Sequence, residues 1–327
     1  MDEKTILDQV AETGRMLLKS GLVARTWGNF SARLDGTHFA ITPSGLGYEQ
    51  MNAGDIVRFC LTDGSFEGTR EPSSEKGIHA EAYRLFPEAG FVIHTHQTFA
   101  TALGLSEPDD LIVTEEEREA LGGIAWAAYG LPGTQKLKDA VAAELRKGAH
   151  TVLMKHHGVL IAGTDREQAL CRASLLEEIC RRSCRYDIPA PDAEDTSRLL
   201  SRIRKVYPDA AIGDGSASRA WSATGSPLRT QLDDVAQMIG YKIPFARSES
   251  ELMPLLKKHG SVFLAGVGAV VLGEDAPDTE ALKVLTDKAA VAALHTRALN
   301  CRAELSLFDC LLMRQVYLRK YSKKKKG

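Results

Sequence analysis

Two histidines one residue apart, His94 and His96, end the apolar run Phe91-Val92-Ile93. In an extended chain alternate side chains share a face, so both imidazoles point the same way and form a two-point clamp for a metal ion. Two ligands do not make a site; a catalytic metal centre commonly takes three protein ligands and keeps a position open. A candidate third ligand ends another apolar strand, Thr151-Val152-Leu153-Met154, which runs into Lys155-His156-His157-Gly158. Neighbouring residues of an extended chain face opposite ways, so at most one of His156 and His157 joins the same ion. Glu75 is the candidate base. It opens a helix that runs to about Phe86, where Ser73 or Ser74 can cap and an acid in the first turn suits the helix dipole, so capping alone also accounts for an acid there. His79, one turn on and on the same face, is read as a core or orienting residue.

These side chains need elements to position them. The helix after Glu75 turns at Pro87 and Gly90 straight into the His94 strand, so a fold that lays this helix on its own strand returns Glu75 to the clamp. Upstream, a helix over residues 4 to 20 stops at Gly21, and the stretch Arg25-Thr26-Trp27-Gly28-Asn29-Phe30-Ser31 follows. A short strand from His38 to Thr42 then ends in Pro43-Ser44-Gly45. Both loops combine glycine, which lets backbone N–H groups approach closely, with Asn, Thr or Ser, a chemistry suited to an anion such as phosphate. Downstream, residues 97 to 150 alternate helical patterns with the segment Ile124 to Tyr129, and a helix from Arg166 to Arg185 carries Ala169, Ala173, Leu176, Ile179 and Cys180 at core spacing.

The domain expected from these elements covers residues 1–188. From Tyr186 the composition turns loop-rich, and a linker with one short helix, Thr196 to Val206, is expected over 189–224. Residues 225–321 then follow the earlier pattern: with Gly268 set on Gly158, Ser261 falls on Thr151, Gly273 on Gly163, and Val267 takes the place of His157. Glu280-Ala281-Leu282 mirrors Gln168-Ala169-Leu170 after a small insertion, while no counterpart of Phe91 to His96 or of Ser73 to Glu75 is visible past residue 190. The expectation is a degenerate, incomplete repeat without metal ligands, closed by a basic tail over 322–327 that reads as a frayed end.

Composition narrows the function classes. The 327 residues are 44% hydrophobic and 26% charged with a net charge of −2, which is globular material with no general attraction to nucleic acid. No apolar run is long enough to span a bilayer, and six scattered cysteines without paired CxxC spacing read as reduced, so a cytoplasmic location without a membrane partner is expected.

The succession Trp27-Gly28-Asn29-Phe30-Ser31, Thr42-Pro43-Ser44-Gly45, Pro72-Ser73-Ser74-Glu75, His94-Thr95-His96 and His157-Gly158, in that order, resembles the class II aldolase/adducin family, especially its fuculose-phosphate aldolase branch. The resemblance implies an α/β fold, a three-layer α/β/α sandwich around a mainly antiparallel sheet. It implies one zinc ion per chain held by His94, His96 and His157, with His156 left out. It sets Glu75 on the acidic catalytic residue and Gly28, Asn29, Ser44, Gly45, Ser73 and Ser74 on the positions that hold a substrate phosphate. The metal would act as a Lewis acid on a carbonyl and its neighbouring hydroxyl, Glu75 would remove the adjacent proton, and the metal would stabilise the enediolate that results. The implied activity is an aldolase-type lyase acting on a phosphorylated ketose, in a homo-oligomer with active sites near subunit or repeat interfaces. Epimerisation, dehydration or decarboxylation at the same metal site, and a non-catalytic adducin-like module, are the alternatives; Asp in place of Glu75 would have pointed to the pentulose-phosphate epimerases. One departure stands out. The family's aldolases take a proton-donating tyrosine from a neighbouring subunit, and Leu103 to Trp126 contains none.

Overall fold

The structure is a computed structural model that describes residues 2–324, with side chains to Arg319; the basic tail expected over 322–327 lies outside the described side chains. The chain divides into two compact units, Met1–Ser183 and Cys184–Gly327.

The first unit begins with α1 (Glu3–Lys19), whose first turn is capped by the Asp2 carboxylate accepting from the Thr5 N–H. Four strands follow: β1 (Gly28–Arg33), β2 (His38–Ile41), β3 (Val57–Cys60) and β4 (Phe66–Glu67). Then come α2 (Lys76–Leu85), β5 (Phe91–Thr95), α3 (Thr98–Leu103), α4 (Glu115–Ala120), β6 (Ile124–Ala127), α5 (Gln135–Leu145), β7 (Thr151–Met154), β8 (Gly158–Gly163) and α6 (Arg166–Ser183). The eight strands form one sheet in the order β4-β3-β2-β1-β5-β8-β7-β6, antiparallel except for the β6/β7 pair.

Both faces of this sheet are buried, which is why its central strands read as continuous apolar runs rather than alternating ones. On one face α2 and α5 pack Ile78, Tyr83, Leu137 and Val141 against Phe39, Val57, Val92, Val152 and Leu160. The other face is covered by α1, α3 and α6. The result is a three-layer α/β/α sandwich around a mainly antiparallel sheet.

The second unit contains α7 (Ser197–Arg204), β9 (Ala211–Gly213), α8 (Ser216–Ala223), β10 (Leu228–Arg229), α9 (Asp233–Met238), β11 (Lys242–Ile243) and β12 (Phe245–Ala246). It continues with α10 (Glu249–His259), β13 (Ser261–Leu264), β14 (Gly268–Val271), α11 (Ala276–Ala298) and α12 (Leu307–Lys324). Strands β10 and β11 pair as a small ribbon, and a four-stranded sheet has the order β12-β13-β14-β9. Its one parallel pair is β12/β13, and β14 pairs antiparallel with both neighbours.

This organisation differs from the sequence expectation in two places. Residues 189–224 are not a linker with one helix: they hold α7, β9 and α8, and β9 is a strand of the sheet. The helix α11 also starts without an insertion, since Asp275 accepts from the Asp278 N–H (2.8 Å) as Asp165 accepts from the Gln168 N–H (2.8 Å) ahead of α6. The strand escaped notice because only three residues pair, and the flanking Gly213-Asp214-Gly215 has the composition of a turn.

Candidate active site

His94 lies on the face of β5 that α2 covers, because Val92, two residues earlier, is in the core between sheet and α2. The turn from Phe86 to Gly90 reverses the chain, so the start of α2 lies over the end of β5. Arg33 fastens that turn, its guanidinium donating to the carbonyls of Tyr83 (2.8 Å), Phe86 (3.0 Å) and Ala89 (2.8 Å). Glu75 therefore reaches the clamp, but from the N-cap position and not from the first turn. Ser73 Oγ accepts the Glu75 N–H (3.2 Å) just ahead of the helix, and the Glu75 carboxylate turns inward to His94 and His157.

His157 arrives on the hairpin of β7 and β8, whose second strand pairs with β5 so that Thr95 faces Val159 and His94 faces Leu160. The turn is closed by the His157 N–H donating to the Met154 carbonyl (3.0 Å). His156 occupies the left-handed position of this turn, φ 68°, and its ring meets Tyr129 edge-on at 5.0 Å, away from the cluster. Gly158 is required by close approach, since a Cβ there would collide with the Thr95 carbonyl oxygen.

These elements bring four donors together: one ligand atom each from Glu75, His94, His96 and His157, all within 4.8 Å of one another. Glu75 Oε1 lies 2.7 Å from His157 Nε2 and Oε2 lies 3.1 Å from His94 Nε2, while His94 Nε2 and His96 Nε2 are 3.0 Å apart. The Nδ1 of His94 donates to the Val159 carbonyl (2.9 Å), which leaves Nε2 as the lone pair that faces its neighbours. Ring nitrogens and a carboxylate converging on one point suit a cation. Zinc–nitrogen and zinc–oxygen bonds of about 2.0–2.2 Å put tetrahedral ligand atoms about 3.3–3.6 Å apart, inside the range from 2.7 Å to the 4.8 Å span of the set, so the donor set fits a divalent metal ion. Burial pushes the Glu75 carboxyl up, but the imidazoles of His94 and His157 outweigh it and hold the group well below the usual carboxylate range.

The six residues expected on an anion gather at the same end of the sheet. Ser44 N–H donates to the Glu71 carbonyl (2.9 Å), Ser73 N–H to the Thr42 carbonyl (3.1 Å), and Pro43 bridges to Pro72, so the loop of Ser44 and Gly45 lies against that of Ser73 and Ser74. Gly28 and Asn29 open β1, opposite Thr95 and His94, and the Gly28 carbonyl accepts from Tyr48 OH (2.8 Å). Asn29 also makes contacts beyond the expected one. Its Nδ2 donates to Glu75 Oε2 (3.0 Å) and its Oδ1 contacts His79 Nε2 (2.6 Å), so its side chain serves the carboxylate first.

Two residues of this neighbourhood escaped the sequence reading. Ser31 Oγ lies 2.6 Å from His79 Nδ1 and 2.9 Å from Tyr83 OH, all three buried. The signal was available: Ser31 shares a strand face with Asn29, and Tyr83 lies one turn beyond His79.

Fold and site together define an α/β sandwich enzyme with a three-histidine, one-carboxylate centre at the end of a buried strand. The chain belongs to the class II aldolase and adducin family: the model of the Class II Aldolase and Adducin N-terminal domain matches residues 8–184. It is 33% identical over 208 residues to the 5-methylthioribulose-1-phosphate/5-deoxyribulose-1-phosphate aldolase of Rhodospirillum rubrum, a match that covers 61% of this chain and 91% of that protein. The L-fuculose phosphate aldolase of Escherichia coli O157:H7 is 32% identical over 183 residues, covering 55% of this chain and 83% of the relative. Among solved structures, an L-fuculose 1-phosphate aldolase superposes with a TM-score of 0.50 at 28% identity, over 56% of this chain and 86% of that one. No helix among the described residues is long and apolar enough to cross a membrane.

Proposed function

We propose that the first unit is a metal-dependent aldolase-type lyase that cleaves a phosphorylated ketose, with His94, His96 and His157 as metal ligands and Glu75 as the acid–base group. The observation that carries the reading is the convergence of the Glu75 carboxylate and ring nitrogens of His94, His96 and His157, all within 4.8 Å of one another. A divalent metal held there, zinc by its preference for nitrogen ligands, supplies Lewis-acid polarisation of the substrate carbonyl. Gly28, Ser44, Gly45, Ser73 and Ser74 line the adjoining loops and offer N–H and hydroxyl donors to the phosphate, with the remaining amide hydrogen of Asn29 beside them. Glu75, ionised by its imidazole neighbours, takes the proton from the carbon next to the carbonyl in the condensing direction and returns it to that carbon in cleavage. The second unit is a degenerate copy in this reading, with Val267 in the place of a ligand, so each chain carries a single metal centre.

The Rhodospirillum rubrum relative is named an aldolase of 5-methylthioribulose 1-phosphate, and the solved structure an aldolase of L-fuculose 1-phosphate, each a 1-phosphorylated ketose. Breaking the bond between the third and fourth carbons of such a sugar yields dihydroxyacetone phosphate and an aldehyde, so the three-carbon product is a probe that needs no knowledge of the aldehyde. In deuterated water the metal-loaded protein exchanges the hydroxymethyl proton of dihydroxyacetone phosphate, followed by proton magnetic resonance. Glu75→Gln retains the metal and lowers that exchange by about 10²–10⁴-fold. Exchange that survives in Glu75→Gln, or that is unaffected by stripping the metal, overturns the assignment.

A further inference from the structure

We propose that His79 is a positioning residue for Glu75, acting through Asn29 as the central link of a one-way hydrogen-bond chain that begins at Tyr83. The proposal rests on Glu75 being the acid–base group, as argued above.

The direction of every link follows from its neighbour. The amide nitrogen of Asn29 donates to Glu75 Oε2 at 3.0 Å. The Asn29 oxygen then faces His79 Nε2 at 2.6 Å, and an oxygen there requires an N–H. Burial first, and the neighbouring His94 second, push His79 down to about 3, so the ring is neutral and carries a single proton, already placed on Nε2 by the Asn29 oxygen. His79 Nδ1 must accept, and Ser31 Oγ, 2.6 Å away, supplies the hydrogen. With its only proton used, Ser31 accepts from Tyr83 OH at 2.9 Å. Each proton in the run Tyr83, Ser31, His79, Asn29 thus points toward Glu75.

The carriers make the chain stiff. Asn29 and Ser31 are alternate residues of β1, on the face turned to α2, while His79 and Tyr83 are one turn apart on α2. Asn29, Ser31 and His79 are all buried, so water does not compete for these links. The chain ties helix to strand beside the residue that opens the helix, and its last donor selects which oxygen of Glu75 is held back, leaving the other, Oε1, turned to His157.

The test uses the metal-loaded full chain and proton exchange into dihydroxyacetone phosphate. His79→Leu removes both links and is expected to lower the maximal exchange rate by about 10²-fold, the scale of a misplaced reacting group, while the concentration for half-maximal rate and the metal content stay within about twofold of the parent. His79→Gln can donate through its amide and accept through its carbonyl, and is expected to recover most of the loss. In a Glu75→Gln background His79→Leu is expected to add nothing further. Nitrogen magnetic resonance of the parent should show His79 protonated at Nε2 and bare at Nδ1, an outcome independent of activity and of how either variant folds. A ring protonated at Nδ1, a His79→Leu protein that exchanges within about twofold of the parent, or a loss that tracks loss of metal overturns the positioning role. If Glu75→Gln itself exchanges normally, the base assignment fails instead, and the nitrogen spectrum still reports on the chain.

Discussion

The two units hold the same hairpin with and without histidines. In the first, Thr151 pairs with Ile161 and Met154 with Gly158; in the second, Ser261 pairs with Val271 and Leu264 with Gly268, residue for residue at a constant offset. The turns agree as well. His156 at φ 68° is matched by Gly266 at φ 73°, and the His157 N–H to Met154 carbonyl bond (3.0 Å) is matched by Val267 to Leu264 (3.1 Å). The neighbouring strand keeps its place too, since Thr95 faces Val159 and Gly213 faces Ala269. By this register Ile212 and Asp214 stand where His94 and His96 stand, and Val267 where His157 stands. The framework therefore asks for a pleated, apolar hairpin and a glycine; it does not ask for histidines. The histidines are an addition that the backbone tolerates, which is what a functional set looks like against a structural one.

The largest effect should come from making the first hairpin resemble the second. His157→Val removes one of the proposed ligands and leaves Glu75 facing an apolar side chain. Metal content should fall well below one ion per chain and turnover by about 10³-fold or more, while far-ultraviolet circular dichroism stays that of the parent. Full metal content in this variant would break the comparison at its centre.

Next come the two glycines that let each hairpin lie against its neighbour. A Cβ on Gly158 would collide with the Thr95 carbonyl oxygen, and one on Gly268, at φ 118°, would sit 2.7 Å from the Gly213 carbonyl oxygen. Gly158→Ala and Gly268→Ala should each cost about 1–3 kcal/mol in chemical denaturation, because backbone must shift in both. Gly158→Ala should also weaken metal binding, since the same Cβ would press on His94 Cε1 (3.2 Å) and His96 Cδ2 (3.3 Å). A metal-neutral Gly158→Ala would show that the clamp has more slack than the structure gives it.

What could be read from the residues, and what could not, divides along the same line. Strand alternation joins His94 to His96, and the tight turn between α2 and β5 returns Glu75 to them, so the cluster could be anticipated from local rules. The role of Asn29 could not, because its two hydrogen bonds cross from β1 to α2 and no spacing along the chain encodes them. The strand β9 was hidden by its length and by Gly213, yet the turn before it was legible: Tyr207-Pro208-Asp209-Ala210 matches Phe86-Pro87-Glu88-Ala89, with Ala210 N–H donating to Tyr207 (3.1 Å) as Ala89 does to Phe86 (3.0 Å). Similar turns mark similar places better than the short strands between them.

A smaller effect concerns acid. The first unit buries His79 as a neutral ring, pushed down to about 3 by burial first and by the neighbouring His94 second, whereas α7, which precedes β9 as α2 precedes β5, contains no histidine. The unfolded chain has its imidazole near 6.5, so between that value and about 3 the unfolded state binds the extra proton and the folded state does not. Stability from this source is present above the unfolded value and falls as pH falls below it. Denaturation midpoints of the parent should drop more steeply from neutral pH toward pH values below 6.5 than those of His79→Gln, which cannot titrate there. Parallel profiles would mean the ring is already charged in the fold.

The smallest expected effect is the reciprocal substitution. Val267→His places an imidazole where His157 stands in the first hairpin, but the register sets Ile212 and Asp214 at the other two ligand positions, and neither a branched aliphatic chain nor a single carboxylate completes a three-ligand set. Val267 is partly buried against the core of its own unit, so the substitution should cost stability only modestly, about 1 kcal/mol. Metal analysis of Val267→His should therefore match the parent. A second equivalent of tightly bound metal would mean that the second unit retains a concealed ligand set, and that the two hairpins differ by one residue rather than by a whole constellation.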